Sequence, residues 1–457
     1  MAEALGISPS YLNLIERHQR PLTVQLILKL ASVYKIEPDE LQGETGGTLT
    51  ALREVFADPL LARELPGDQE LIELSEAAPN VAAGVVKLFR AYREQAERLS
   101  DLSQLLARDG HATAALGARL PSDEVREIFE SRPNHFAAIE EEAEAFAAVL
   151  DPGDDLFGAL KAWLTRECGI AVKVLPAATM PNWRRRYDRH SQRLFISERL
   201  SPFDRLREVA IEACLIRMSA TVAAEIQALK LSTDEARRLA RFELGRYAAH
   251  ALMMPYAAFY AAAVRARYDI DVLRSRFGIS FEQATDRLTT LQRPGASGVP
   301  FFMLEINKAG HRLRRAGAQG FPQARFGGGC PKLPVHAAFA QPGQILVEAV
   351  ELPDGAEFLC IARTLEGPQG AFSERPRRTA LLLACDTAFR EEVVYSAALP
   401  VPVTGAGGKA PQSLMTPIGP ACRLCERSGC LSRAEPPVTR PLGLDEMVIG
   451  LSAFDFR

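Results

Sequence analysis

LGISPSYLNLIERHQRPL, residues 5–22, is the stretch around which the rest of the chain can be organised. The short helix read from Met1 to Leu5 stops at Gly6, and Gly6-Ile7 reads as a tight turn. Ser8 is a good helix N-cap and Pro9 a good first helical residue. A second helix then runs from Ser10 to about His18. Its Leu12 and Ile15 lie three apart on one face, able to pack against Leu5 and Ile7. A third helix, about Thr23 to Tyr34, carries Leu26, Ile27, Leu30 and Val33 at helical spacing.

Helix, glycine turn and a second helix with small polar residues at its start make the geometry of a helix-turn-helix. Such a helix enters the major groove N-terminus first, so Ser10 and Asn13 can meet base edges and Tyr11, Arg17 and Arg20 can meet phosphates. With the capping Ser8 these six form the candidate DNA-binding set. The segment resembles the Xre/Cro-type helix-turn-helix, which implies a DNA operator as partner and one more helix ahead of Met1. Residues 1–41 hold four Lys/Arg against five Asp/Glu. Affinity would then rest on a few placed contacts and on dimerisation, not on bulk charge.

A chain of 457 residues is long for one core, and two to four domains are expected. Net charge is −3, so nothing global announces nucleic-acid binding. No apolar run approaches the ~18 residues of a membrane span, and no signal-peptide pattern opens the chain. A cytoplasmic protein is expected, with its eight cysteines mostly reduced. The expected class is α+β multidomain: an all-α head (1–44) and helical linker (45–107), then a mixed α/β body. The linker carries amphipathic helices with Val85, Leu88, Phe89 and Tyr92 recurring every three or four residues, a pattern that fits a homodimer or higher homo-oligomer, or packing within the chain.

In the body, IAVKVLP (170–176) alternates as a strand and WRRRYDRHSQRLFIS (183–197) reads as two strands turning at His190-Ser191. Helices follow from about Pro202 to Leu229 and from Thr233 to Ala263. This order, with RYAAHALMMPYAAF in the second helix, resembles an ImmA/IrrE-type metallopeptidase-like domain, assigned to 120–290. Active members carry H-E-x-x-H on the first of those helices, two histidines one turn apart sharing zinc while the glutamate activates water. Here the stretch is Ile211-Glu212-Ala213-Cys214-Leu215. Both histidine ligands are replaced by aliphatic residues, so no enzyme activity is expected, and His250 reads as a structural histidine. The remaining cleft is a natural place for a small ligand. Arg184, Arg185 and Arg186, and Arg312 and Arg314 of HRLRR (311–315), are candidates to meet an anionic one, with a solvated basic face as the bland alternative.

In the last third (291–457), Gln344–Leu352 and Ala356–Thr364 alternate as strands around a Pro-Asp-Gly turn, and Thr379–Cys385 adds a third. A small antiparallel sheet is expected. CRLCERSGC then places Cys422, Cys425 and Cys430 at C-x2-C-x4-C. Zinc wants a second nearby pair, and no His or Cys lies between Cys385 and Cys422 or after Cys430. Three close thiols and one remote ligand suit an iron–sulfur cluster better, with Cys330 after Gly327-Gly328-Gly329 the best fourth ligand. A zinc knuckle with a distant ligand is the alternative, as is Cys330 serving only as a turn residue. Cys168, Cys214, Cys360 and Cys385 lie on apolar elements and read as buried thiols.

RLTTLQRPGASGVPFF, RFGGGCP and PIGPACRLCERSGC, with the order of segments before them, resemble the short-chain fatty acyl-CoA regulator family (ScfR-type) over essentially the whole chain. The resemblance implies a bacterial transcription factor controlling propionyl-CoA, acetyl-CoA or related acyl-CoA metabolism. It implies sensing of an acyl-CoA and, for some members, a 4Fe-4S cluster on the C-terminal cysteines. Relatives usually carry an Asn-x-Ser-Lys-Arg segment where this chain has Gly310 to Arg315, which points to a different ligand preference if that segment touches ligand. Rival readings are a zinc metallopeptidase of the ImmA/IrrE kind and a redox-sensing or zinc-stabilised regulator without CoA response.

Overall fold

A computed structural model describes residues 2, 7–8, 11–13, 45–56, 61, 67–108, 120–317, 320, 329–368, 370, 374–375, 377–399, 415–437, 447, 451 and 454. The chain divides into two compact units, Met1–Arg119 and Leu120–Arg457.

In the first unit the start of the expected second helix is visible. The Ser8 hydroxyl accepts from the Tyr11 N–H at 3.2 Å, the capping bond its sequence position calls for, and Tyr11, Leu12 and Asn13 are helical. Three helices follow: α1 (Thr45–Phe56), α2 (Asp68–Ala77) and α3 (Pro79–Arg108). They bury a small core of Ala51, Leu52, Val55, Leu71, Ala82 and Val86. On α3, Val81, Leu88 and Tyr92 stay exposed.

The second unit opens with α4 (Pro121–Glu130), α5 (Ala137–Leu150) and α6 (Leu156–Cys168). A three-stranded sheet of β1 (Ala171–Leu175), β2 (Arg185–Asp188) and β3 (Arg193–Ser197) comes next, β3 in the centre, parallel to β1 and antiparallel to β2. The two long helical stretches break where the backbone must turn. They give α7 (Pro202–Arg217), α8 (Ser219–Ala228), α9 (Asp234–Met253) and α10 (Tyr256–Arg265). Met254 and Pro255 separate the last two, Pro255 taking an extended ψ that ends one helix and starts another. Two short helices, α11 (Ile270–Phe277) and α12 (Phe281–Leu288), complete the helical layer.

The expected small sheet is larger than its sequence signal. It has six strands, β4 (Phe302–Asn307), β5 (Arg312–Gly317), β6 (Leu346–Glu351), β7 (Glu357–Glu366), β8 (Arg378–Asp386) and β9 (Thr416–Pro417), in the order β5-β4-β8-β7-β6-β9. All neighbours are antiparallel except β6 and β9, which run parallel, so the reading of a purely antiparallel three-stranded sheet is corrected. β4 and β5 escape sequence reading because FFMLEIN lacks alternation and RLRRAG looks like a charged surface. Alternate residues of the sheet serve different cores. Met303, Leu359, Ile361, Leu381 and Leu383 join the helical core, which runs from Phe136 to Val393. Phe302, Leu304, Cys360, Leu382 and Ala384 face a second core with Cys330, Leu333, Val335 and Ile418. Residues on either side of position 290 therefore share one core.

Gly317 ends β5 at φ +100°, and a Cβ there would stand 2.3 Å from the Phe301 carbonyl oxygen. Gly317→Ala is expected to lower stability by about 2 kcal/mol or more, since left-handed strain and a backbone clash add. Urea unfolding measures it.

Candidate functional site

Helix α12 organises the interior. It starts on a capping box: the Ser280 hydroxyl accepts from the Gln283 N–H at 3.2 Å, and the Gln283 side chain accepts from the Ser280 N–H at 3.0 Å. That fixes the pitch at which Asp286 and Arg287 enter the protein. Arg287 is fully buried and grips Glu140 of α5 with two hydrogen bonds, 2.6 and 2.9 Å, while donating to the Met254 carbonyl at 3.0 Å and Thr290 at 2.9 Å. The Tyr247 hydroxyl also donates to Glu140 at 2.6 Å. Burial alone would raise the Glu140 carboxyl, but the Arg287 charge and hydrogen bonds outweigh it and hold it below its ordinary value.

Asp286 faces the other way. Arg314 of β5 donates to it at 2.6 Å and His250 Nδ1 lies 3.0 Å away, with Arg246 at 3.8 Å. Burial opposes its charge, yet Arg314, His250 and Arg246 hold the carboxyl well below the usual carboxylate range. These groups border a cavity of about 260 Å³ between α4, α9, α12 and β5. It is lined by apolar side chains (Val125, Phe129, Phe136, Leu239, Phe242) and by polar and charged ones (Ser122, Arg126, Asn134, Glu243, His250, Asp286, Arg314, Arg315). His250 is buried and its Nε2 has no hydrogen-bond partner among the described residues, nor has Arg314 Nη1. The sequence reading of His250 as a satisfied structural histidine is therefore half right: Nδ1 is satisfied and Nε2 is not.

A second cavity of about 380 Å³ lies over the degenerate peptidase motif, bordered by Ile211, Glu208, Arg184, Arg185, Arg207 and Arg246. Three of its arginines are already engaged. Arg184 pairs with Asp204 (3.3 Å) and Glu208 (2.9 Å), and Arg185 with Glu208 (3.5 Å) and Glu212 (3.4 Å). Arg207 pairs with Asp204 (2.9 Å) and Glu282 (3.1 Å). Burial would raise Glu282, but Arg207, Arg314 and Arg246 hold it at about 2. Burial pushes the Cys214 thiol far up, out of thiolate range. The remaining candidates lie elsewhere: Arg186 stacks over exposed Trp183, its guanidinium 5.3 Å from the ring centre, and Arg312 reaches Glu130 at 3.4 Å. Of the five arginines proposed for an anion, only Arg314 joins the apolar cavity, by way of a sheet edge that sequence periodicity did not reveal.

The third feature is the cysteine loop. β9 joins the sheet edge, and Ile418 N–H donates to the Glu351 carbonyl at 2.9 Å. Arg427 donates to the carbonyls of Ile418 and Glu351, both at 2.9 Å. Arg433 donates to the carbonyls of Cys422 (3.2 Å), Cys425 (3.0 Å) and Arg427 (2.6 Å). These two arginines latch the backbone of the loop, and Arg423 pairs with Glu435 at 2.9 Å. Cys330 comes to the same place from the second core. Burial pushes its thiol up, the Gly419 and Lys332 backbone N–H groups that bond it pull it down, and the Cys422 and Cys425 thiols are close enough to raise it again. As placed, no three His, Cys, Asp or Glu side chains among the described residues converge tightly enough to hold a metal ion. The donor set is nevertheless the right kind for a thiolate-bound group: thiols on a braced loop with one remote thiol beside them. Cys214, Cys360 and Cys385 are buried as expected, and Cys168 is half-buried.

Ser8, Tyr11 and Asn13 are placed at the start of their helix, Ser8 and Asn13 exposed. Ser10, Arg17 and Arg20 lie outside the described residues, as does the Ala/Gly-rich stretch before Leu120. No helix among the described residues is long and apolar enough to cross a membrane.

Three family models match consecutive segments: a helix-turn-helix over residues 1–41, an IrrE N-terminal-like domain over 165–289, and the C-terminal domain of short-chain fatty acyl coenzyme A regulators over 290–454. The chain is 34% identical, over 99% of its length and 94% of the relative's, to the propionyl-CoA carboxylase regulator of Cereibacter sphaeroides. The chain belongs to the short-chain fatty acyl-CoA regulator family. It is likewise 34% identical to the HTH-type transcriptional regulator RamB of Mycobacterium tuberculosis, over 98% of this chain and 92% of RamB. A solved Mycobacterium tuberculosis transcriptional regulator superposes with a TM-score of 0.67 at 32% identity, covering 73% of this chain and 99% of that one. This family member is thus a transcriptional regulator with a DNA-binding helix-turn-helix, and its peptidase-like segment is a distant relation of the enzymes.

Proposed function

We propose that this regulator binds operator DNA through Ser8, Ser10, Tyr11, Asn13, Arg17 and Arg20, as a homodimer, and that a short-chain acyl-CoA controls that binding. The single observation that carries the reading is full-length similarity to a propionyl-CoA carboxylase regulator, joined to a C-terminal acyl-CoA-regulator domain. A cavity of about 260 Å³ lined by apolar side chains together with Arg126, Arg314 and Arg315 supports it. The body acts as a sensor and not as an enzyme, because Ile211 and Leu215 stand where a zinc protease needs histidines. Ligand binding would shift the population of DNA-competent states by its differential affinity for them.

We further propose that Cys422, Cys425 and Cys430, with Cys330 as fourth ligand, hold a 4Fe-4S cluster. Such a cluster supplies one-electron chemistry and cross-links the loop to the second core when bound. The chain's own part is to present the thiolates and brace the loop through Arg427 and Arg433. Anaerobic purification with an absorption spectrum and metal count tests this. Iron and sulfide are expected in the wild type, and loss of both in Cys422→Ala, Cys425→Ala and Cys430→Ala; zinc in their place would make the site structural. Gel shifts of operator DNA with and without propionyl-CoA and acetyl-CoA test the effector. DNA binding indifferent to both would sink acyl-CoA control.

A further inference from the structure

Helix α3 is apolar on two sides, and only one of them is covered. Ala82, Val86 and Phe89 pack into the core of the first unit with residues of α1 and α2. Val81, Leu88 and Tyr92 point away from it and are 57%, 73% and 49% exposed. At 100° per residue the two stripes are centred about 100° apart around the helix. The amphipathic pattern of this segment is therefore two seams, and packing within the first unit accounts for one.

The open seam keeps a heptad. Val81, Val85, Leu88, Tyr92 and Gln95 follow one another at alternating steps of four and three, and the sequence carries the same steps on through Leu99, Leu102 and Leu106. The helix is continuous from Pro79 to Arg108. In a straight helix a seven-residue repeat drifts by about 20° per heptad. A repeat held from residue 81 to residue 106 keeps one side toward a neighbour that coils with it. Gly84 and Ala91, both exposed, flank the seam on the side away from the core, and a Cβ at Gly84 would meet nothing within 4 Å. A second backbone has room to come close there.

Length decides the occupant. The seam calls for an apolar helix of about 39 Å, at 1.5 Å per residue. Among the described residues the next longest helix of this chain is α9, with 20 residues, and its Leu244, Ala248, Ala251 and Leu252 are already buried in the helical core. The α3 of a second copy is the helix that matches, and a two-fold axis sets the same seam against itself. Eight positions from each copy, at roughly 60–100 Å² for a buried aliphatic side chain, hide about 1,000 Å² or more. Specific interfaces begin at about that size.

We propose that residues 81–106 of α3 form a two-stranded coiled coil with the same segment of a second copy, Leu88 and Tyr92 among its central layers. This rests on the homodimer reading and gives that dimer its interface, on a segment that lies in the chain between the DNA-binding head and the second unit.

The test is sedimentation velocity on the full chain at low and high micromolar concentration. The wild type should sediment as two chains. Leu88→Glu puts a charge on the seam and leaves the core of the first unit untouched, so far-ultraviolet circular dichroism should not change. The dimer dissociation constant should rise at least a hundredfold, because both copies lose a buried leucine. Tyr92→Glu should act in the same direction. Ala83→Glu adds the same charge at an exposed position on the far side of the helix and should leave the dimer intact. A dimer that neither seam variant weakens beyond the effect of Ala83→Glu would overturn the proposal, and the homodimer reading would then stand on another surface. A wild type that stays monomeric at high micromolar concentration would sink both and leave the seam to the second unit or to a different protein.

Discussion

Arg287→Met should cost about 3–5 kcal/mol of stability at neutral pH, the largest single effect expected from the second unit. The substitution keeps the volume of the side chain but strands the Glu140 carboxylate, which is 1% exposed and holds Arg287 through two hydrogen bonds. It also frees the Met254 carbonyl, where α9 gives way to α10. The double variant Glu140→Leu/Arg287→Met should recover most of the loss, because an apolar pair leaves no uncompensated charge. The pH dependence has a definite sign. In the wild type the Glu140 carboxyl is held below its unfolded value, so its contribution is present above that value and is lost as pH falls through the folded one. In Arg287→Met burial, the largest influence on Glu140, is opposed mainly by the remaining Tyr247 hydrogen bond and is expected to raise the carboxyl, so the variant gains stability on acidification. Urea unfolding at pH 7 and at about pH 4 should show the gap narrowing; a gap that stays constant would mean that Arg287 acts through packing only.

If the cysteine loop holds a cluster as proposed, Gly419→Ala should abolish metal retention while leaving the body folded. A Cβ at position 419 would lie 2.6 Å from Cys425 Sγ and 2.7 Å from its Cβ, so the Cys425 side chain must leave. The Gly419 N–H also bonds the Cys330 sulfur, and that contact would shift with it. Metal content per chain should fall to the level of Cys425→Ala, with unchanged far-ultraviolet circular dichroism. Ser428→Ala, an exposed change on the same loop, is the control and should keep its metal. Wild-type metal content in Gly419→Ala would show that Cys425 is not a ligand.

What was legible in the sequence follows the range of the forces involved. Ser8 as a cap, the hairpin turning within 189–192, and the loss of the histidine pair at Ile211 and Leu215 are all local statements. The Pro-Asp-Gly turn between β6 and β7 is another. Cys330 was reachable because backbone freedom before it and the shortage of nearby ligands both pointed to a remote partner. The cavity lining was not reachable. His250, Asp286 and Arg314 sit on three elements and form no motif, and arginine is so seldom buried that composition gives no hint of Arg314 and Arg287 inside the protein. RLTTLQRPGASGVPFF was distinctive as a string, yet only the structure shows that its first residue, Arg287, is an internal clamp.

The six-stranded sheet has a cavity at one border and its thiol loop at the other: β5 lines the cavity, and β9 leads into Ile418 and Cys422. Five strand spacings of ~4.8 Å put these borders about 24 Å apart. Both faces of the sheet are packed, one on each core. If ligand and thiol loop act as proposed and the sheet couples them, linkage makes the effect two-way: whatever thiol chemistry does to ligand affinity, the ligand must do in equal measure to the thiols. On the proposed function, that coupling would bring carbon supply and redox state to bear on one output.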